Sequence, residues 1–296
     1  MEHRSGRRKN LMATAWVCAG ILLLVLGLVA ALELGAAGRQ QAQEEAQTPV
    51  PEIQPSETEN TELPVSESTL PILDLPENPY TPEDFTYAGL YQTLESGECL
   101  LGIDVSAWQE TIDWPQVKGA GMDFAMIRMA WRGSSEGGIF ADNRAEENYY
   151  GAKEAGMKVG GYFFSQAITP EEAVEEAEFF LDMIKDWELE MPIVYDWEFA
   201  GGPRTDGMDD EAITACALAF CQTIEAAGYD AMVYFNPRMA YYEIDLEVLK
   251  EYGLWLAMWD TEMTFPYKVD MWQYTDQGSV PGIETNVDMN IYFLYE

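Results

Sequence analysis

Hydrophobic and polar positions divide the chain into three textures. Residues 1–10 are polar and carry Arg4, Arg7, Arg8 and Lys9. An uncharged apolar run of 22 residues follows, Leu11–Leu32, long enough to cross the hydrocarbon core of a bilayer as a helix. A cleaved signal peptide is the rival reading, but its apolar region is usually shorter and ends in an A-x-A-like site. The exit Glu33-Leu34-Gly35-Ala36-Ala37-Gly38 matches such a site poorly, so the pattern predicts an uncleaved anchor over 11–32. Basic residues ahead of it predict a cytoplasmic tail at 1–10 and everything after the span outside the membrane. The second texture, 33–98, is polar: from Gln40 to Glu98 it holds thirteen Asp and Glu and no Lys or Arg. Like charges extend such a segment, and it has too little apolar surface to order itself, so a linker is expected. Tyr80–Tyr91 is more aromatic and is the part of it expected to pack on the domain that follows.

From Leu100 onward the pattern alternates between strand and helix. Strands are predicted at Leu101–Ser106, Phe124–Ala130, Lys158–Ser165, Met191–Phe199, Ala231–Asn236, Gly253–Trp259, Val269–Tyr274 and Val287–Tyr292. Between them come a short helix capped by Asp113 with Pro115 in its first turn, and a helix over Asp142–Ala155 closed by Gly156. A third opens at Thr169-Pro170-Glu171-Glu172 with an apolar stripe at Ala173, Ala177, Phe180, Leu181 and Ile184. A fourth spans Asp210–Ala227 and ends at Gly228, and a helical stretch runs from Pro237 to Lys250. The last three strands have little helix between them. Alternating units of this kind imply an α/β fold with a parallel sheet, and about eight strands suggest closure into a TIM-like barrel over 99–296.

Composition narrows the function. A formal net charge of -36 leaves no basic surface to neutralise phosphates, which argues against nucleic acid as a partner. The single His is His3, so neither a His-based metal site nor a Ser-His triad can form in the folded part. Carboxylates remain as acids and bases. Cys216 and Cys221 fall on different faces of a helix, and Cys99 is read with them as a free thiol. Nine Trp and sixteen Tyr require a large core or an aromatic-lined site.

One stretch concentrates this chemistry. Pro192–Tyr195 reads as a buried strand, and Asp196 and Glu198 follow at its C-terminal end. Residues two apart on a strand face the same side, and paired acids can be driven to different protonation states, as glycoside hydrolysis requires. The alternative is a solvated strand end. In a parallel barrel the chemistry sits at the C-terminal strand ends, where Asp104, Asp196, Glu198 and Trp259 all fall.

Ordered blocks then give the region a family likeness. They are Gly102-Ile103-Asp104-Val105-Ser106, Phe124-Ala125-Met126-Ile127-Arg128, Gly161-Tyr162-Phe163-Phe164-Ser165, Pro192-Ile193-Val194-Tyr195-Asp196-Trp197-Glu198, Leu254–Trp259, Met271-Trp272-Gln273-Tyr274 and Val287-Asp288-Met289-Asn290. Together they resemble glycoside hydrolase family 25, the Chalaropsis-type lysozymes or N-acetylmuramidases, over about 100–296. The resemblance implies a modified barrel of five β/α units and three closing strands, (β/α)5(β)3. It implies hydrolysis of the β-1,4 bond between N-acetylmuramic acid and N-acetylglucosamine in peptidoglycan, with no cofactor and no metal. It also implies Glu198 as general acid, with Asp196, Asp104 and Asp288 completing the acid set. Asp196 would either attack the anomeric carbon or orient the substrate's N-acetyl group for attack in its place; both roles stay open.

Tyr162, Trp255, Trp259 and Trp272 are candidates to line the glycan groove. Gln273 and Tyr274 are candidates for hydrogen bonds to acetamido groups, and Arg128 for pairing with Asp104 or Asp196. Many members carry a His where this chain has Phe163, which on this reading removes a polar group near the groove. The expected protein is a monomeric muramidase, membrane-anchored and acting outside, or secreted if the N-terminal segment is cleaved. A catalytically silent wall-glycan-binding protein is the alternative.

Overall fold

The strands after Leu100 close on themselves. In the computed structural model, which describes residues 70–259 and 262–295, eight strands form a barrel in the order β3-β11-β10-β9-β8-β7-β6-β4, with β3 pairing back to β4. The strands are β3 (Glu98–Val105), β4 (Phe124–Arg132), β6 (Lys158–Ser165), β7 (Ile193–Trp197), β8 (Ala231–Phe235), β9 (Gly253–Ala257), β10 (Met271–Gly278) and β11 (Val287–Leu294). Pairings from β3 through β4, β6, β7, β8 and β9 to β10 are parallel; β11 runs antiparallel to both β10 and β3 and closes the ring.

Helices cover the first five units: α1 (Trp114–Gly119), α2 (Ala145–Glu154), α3 (Pro170–Ile184), α4 (Asp210–Ala226), and α5 (Pro237–Tyr242) with α6 (Leu246–Leu249). Their starts follow the local chemistry. The side chains of Asp113, Thr169 and Asp209 accept from the backbone N–H groups of Gln116, Glu172 and Ala212, satisfying donors that the helix cannot. Gly156 and Gly228 take the positive φ that ends α2 and α4. The stretch expected to be helical from Pro237 to Lys250 is two helices instead. Asp245 breaks it by capping α6, accepting from Glu247 and Val248. A short strand β5 (Ile139–Ala141), not expected from the pattern, forms a hairpin with the end of β4.

Among the described residues no helix joins β9, β10 and β11. Their outer face carries Trp272 and Phe293, both buried, and is covered by the segment that precedes the barrel. Phe85 lies edge-on to Trp272 with ring centroids 5.1 Å apart, and Tyr80 stacks on Phe293 at 5.1 Å. Backbone bonds fasten the same segment: Asn78 N–H donates to the Pro266 carbonyl (2.9 Å) and Lys268 N–H to the Pro76 carbonyl (2.8 Å). The hairpin β1 (Phe85–Ala88) and β2 (Tyr91–Leu94) belongs to it. Residues 70–98, assigned to the linker by composition, are therefore part of the folded unit. Their acidity is mostly on the outside, while Tyr80 and Phe85 face the barrel and Tyr87 is exposed. The predicted tail, span and remaining linker, 1–69, lie outside the described residues. Among the described residues no helix is long and apolar enough to cross a membrane.

Alternation along each strand sorts the side chains. Phe124, Met126, Val194, Met232, Trp255 and Met271 pack together inside the barrel and form the floor of its C-terminal end. Glycine makes room for them: a Cβ at Gly102 would lie 2.4 Å from the Phe124 ring, and one at Gly160 would lie 2.7 Å from Met126. The outward positions, Ile103, Ile127, Val159, Phe163, Tyr195 and Val233 among them, meet the helices in the larger core.

Candidate active site

Above the apolar floor the inward positions turn polar. Asp104 lies next to the end of β3 and Asp288 next to the start of β11, directly opposite across an antiparallel pair. β7 brings Asp196 to the same end, paired with Tyr234 on β8, and Glu198 lies one residue beyond the strand. Asp104 and Asp196 are buried, while Glu198 and Asp288 are partly open. Among the described residues no Lys or Arg forms an ion pair with Asp104, Asp196, Glu198 or Asp288. Like charges in a low-dielectric cleft cannot all ionise, so protons are retained.

Burial raises all four carboxyls. Glu198 is pushed up to about 7, first by desolvation and then by the charge of Asp104. Burial also pushes Asp196 well above its ordinary value, with the charges of Glu198 and Asp104 adding to it and that of Arg128 opposing. One Asp196 oxygen, Oδ1, is buried with no hydrogen-bond partner among the described residues, so nothing at that atom favours the ionised form. Asp288 is likewise raised well above normal by burial and by Asp104. Asp104 is raised by burial, but hydrogen bonds oppose the shift: its Oδ2 accepts from Gln273 Nε2 (3.0 Å) and Asn290 Nδ2 (2.7 Å). Both members of the β7 pair are raised: Asp196 feels the charge of Glu198, and both feel Asp104.

The remaining predicted site residues divide. Tyr162 and Trp259 reach the cleft end and are partly exposed; Trp259 Nε1 donates to Gln273 Oε1 (2.8 Å). Trp255 faces inward but is 2% exposed, and its Nε1 donates to Asn290 Oδ1 (2.9 Å), so it supports the acids from below. Trp272 and Tyr274 are not brought to the cleft. They alternate with Gln273 and so face outward, where Trp272 Nε1 donates to the Met258 carbonyl and the Tyr274 hydroxyl accepts from Gln92 N–H.

Arg128 was expected to pair with Asp104 or Asp196. Its Nε and Nη2 instead both donate to Asp142 Oδ2 at 2.8 Å, leaving only its longer-range field on Asp196. Phe163 is also displaced from its expected role: it is fully buried in the outer core, with ring centroids 6.4 Å from Phe220. A phenylalanine there removes no polar group from the groove.

Four contributors were not singled out from the sequence. Asn290 and Tyr234 share the inward parity of Asp288 and Met232, so strand alternation could have found them. Asp142, read as a helix residue, lies before α2 and accepts from Arg128 and from Ala107 N–H; only the fold reveals that. Gln166 Nε2 donates to the Glu198 carbonyl (2.7 Å) and the Ser165 carbonyl (2.6 Å), fixing the backbone that carries Glu198. Cys99, Cys216 and Cys221 are free thiols, the last two buried.

Comparison with known proteins bears on this geometry. Residues 103–283 match the family described as glycosyl hydrolases family 25. The chain is 28% identical over 191 residues to a protein of Clostridium acetobutylicum named autolytic lysozyme, covering 64% of this chain and 54% of that one. It is 28% identical over 141 residues to the N,O-diacetylmuramidase of Arthroderma benhamiae, covering 46% of this chain and 57% of that protein. The chain thus spans little more than half the length of these relatives. A solved family 25 glycosyl hydrolase from Bacillus anthracis superposes with a TM-score of 0.58 at 24% identity, covering 71% of this chain and 96% of that one; it speaks to the fold.

Proposed function

Starting from a chain that belongs to glycosyl hydrolases family 25, we propose that it is a peptidoglycan muramidase, cleaving the β-1,4 bond between N-acetylmuramic acid and N-acetylglucosamine. The observation that carries the reading is the convergence of Asp104, Asp196, Glu198 and Asp288 on one cleft, with the partly open Glu198 held near 7. A carboxyl at that value is protonated often enough to donate, and its conjugate base is strong enough to take a proton back.

Glu198 gives its proton to the glycosidic oxygen as the bond to the anomeric carbon breaks, and the bonding electrons leave with the departing sugar. Burial and the charges of Glu198 and Asp104 oppose ionisation of Asp196, which makes it a poor direct nucleophile. It is better suited to orient the substrate's acetamido group, whose carbonyl oxygen closes on the anomeric carbon. Water then attacks that carbon, the bond to the acetamido oxygen breaks and returns its electrons to the acetamido group, and Glu198 takes the proton from the water. Asp104 supplies the fixed negative charge that keeps Glu198 protonated and offsets positive charge developing on the sugar.

The names of the Clostridium and Arthroderma relatives support this reaction class. The apolar run Leu11–Leu32 supports tethering of the enzyme to the outer membrane surface, and the barrel is complete within one chain, consistent with a monomer. The test is digestion of purified peptidoglycan by the full chain, with mass analysis of the new reducing ends. Muramic acid ends are expected; glucosamine ends or no release would overturn the reading, and binding without release would assign the silent glycan-binding alternative. Glu198→Gln is expected to reduce turnover by roughly 10³-fold or more, the scale of losing general acid catalysis, while leaving the circular dichroism spectrum unchanged.

A further inference from the structure

Gln273 was a candidate for contact with substrate, yet its amide is fully engaged within the protein. Oε1 accepts from the Tyr234 hydroxyl (3.0 Å) and from Trp259 Nε1 (2.8 Å). Nε2 donates to Asp104 Oδ2 (3.0 Å) and to Asp288 Oδ2 (3.3 Å). An amide has two lone pairs and two hydrogens, so none is left for a sugar. The residue is 2% exposed. Asn290, 1% exposed, repeats the arrangement: Oδ1 accepts from Trp255 Nε1 (2.9 Å) and Nδ2 donates to Asp104 Oδ2 (2.7 Å).

An indole N–H can only donate. Whatever it faces must be an acceptor, so each tryptophan decides which way its amide points. Trp259 forces the oxygen of Gln273 toward itself and the NH2 toward the two aspartates. Trp255 does the same for Asn290. Both NH2 groups then converge on one oxygen of Asp104, while Asp288 receives only the longer of the Gln273 contacts.

We propose that Gln273 and Asn290 are positioning residues, locked by Trp259 and Trp255, that hold Asp104 as the ionised member and Asp288 as the protonated member of the pair facing each other across β3 and β11. The proposal deepens the muramidase reading and rests on it for its link to turnover: a charged Asp104 keeps Glu198 protonated in the neutral range. Other charged or titratable groups facing the pair are Asp196 and Glu198 from β7 and its end, Arg128 from β4, Tyr162 from β6, Tyr234 from β8 and Asp276 from β10. Among the described residues only Gln273 and Asn290 donate side-chain N–H to Asp104, and with a hydrogen bond to Asp288 they oppose the effect of burial on its charge.

The sign of the effect follows. Without the amide donors, Asp104 takes up a proton more readily, its charge at neutral pH falls, and Glu198 loses the field that raises it. Glu198 should then ionise at lower pH. The test compares the wild-type full chain with Gln273→Met and Trp259→Phe. The second change removes the indole N–H together with part of the ring system at a partly exposed site and keeps an aromatic ring. Two quantities are read: the Glu198 titration midpoint by carboxyl 13C NMR without substrate, assigned by Glu198→Gln, and the pH dependence of kcat and KM on soluble peptidoglycan fragments.

We expect the midpoint and the basic limb of kcat to fall by about one pH unit in Gln273→Met and by less in Trp259→Phe, with KM within about twofold, as for loss of an interaction that acts through another residue. An unmoved midpoint in Trp259→Phe overturns the proposal even if Gln273→Met fails to fold. A raised KM with both midpoint and limb unchanged overturns it too, and returns these residues to direct sugar binding. If the midpoint falls but no chain releases muramic acid ends, the relay stands and the muramidase reading fails.

Discussion

Glu176 is a buried carboxyl outside the cleft, and it shows how the charge of single residues reaches the whole fold. It is fully buried on α3. Arg132 Nε donates to it at 2.7 Å, and the Ser165 hydroxyl donates at 2.6 Å. Even so, burial outweighs these partners and raises it to about 7. Glu198 is raised to about 7 as well. A carboxyl whose folded value lies above its unfolded value binds protons preferentially in the native state. Its contribution to stability is full below the unfolded value, declines through the interval and is gone above about 7. The denaturation midpoint of the chain is therefore expected to fall between pH 5 and pH 8. In Glu176→Gln that fall should be smaller, which urea titrations at the two pH values would measure. An equal fall in the variant would show that Glu176 stays ionised beside Arg132.

Among the elements, the loop after β4 and the loop after Glu198 are fastened to each other, to the end of β4 and to α3. Arg132 at the end of β4 donates from Nη1 to the Gly137 carbonyl and from Nη2 to the Glu172 carbonyl. Arg204, in the loop after Glu198, donates to Glu172 Oε2 (2.6 Å). Between them Gly202 meets the other loop backbone to backbone: a Cβ there would lie 2.5 Å from the Ser134 carbonyl oxygen. Gly202→Val must push the loops apart. It is expected to cost about 1–3 kcal/mol, the usual range for overpacking, and to lower turnover by shifting the segment that follows Glu198. Wild-type turnover in a destabilised Gly202→Val chain would show that Gln166 alone holds Glu198. Helix starts were legible because caps act over three or four residues, as at Asp113, Thr169 and Asp209. The break between α5 and α6 was not, because Asp245 competes for backbone donors within an otherwise helical pattern. Nor was β5, three residues long, whose pairing partner supplies its structure.

On the scale of the molecule, the barrel is asymmetric: helices insulate five units, and the segment ahead of the barrel insulates the rest. Phe85 and Tyr80 occupy the position a helix would take over β10 and β11. Phe85→Ala should destabilise the chain by about 2 kcal/mol, below the full cost of an aromatic truncation because Phe85 is itself only half-buried; a thermal melt would measure it. Unchanged stability would mean that the segment rests on the barrel without contributing to it. The net charge of -36 belongs to this scale too. It disfavours adhesion to anionic polymers.

The sequence by itself determined the strand order of chemistry: which residues end strands, which face of each strand carries carboxylates, and that Asp104, Asp196 and Glu198 would meet if the sheet closed; Asp288 entered only through the family resemblance. Alternation and capping are local rules, so they can be read locally. The tertiary structure alone decided the partners. Arg128 binds Asp142, Gln273 and Asn290 take their orientation from indoles, Phe163 and Trp272 face the outer core, and residues 70–98 join the fold. Each of these depends on what stands across a strand pair or over a bare sheet face, at sequence separations that no short-range pattern encodes.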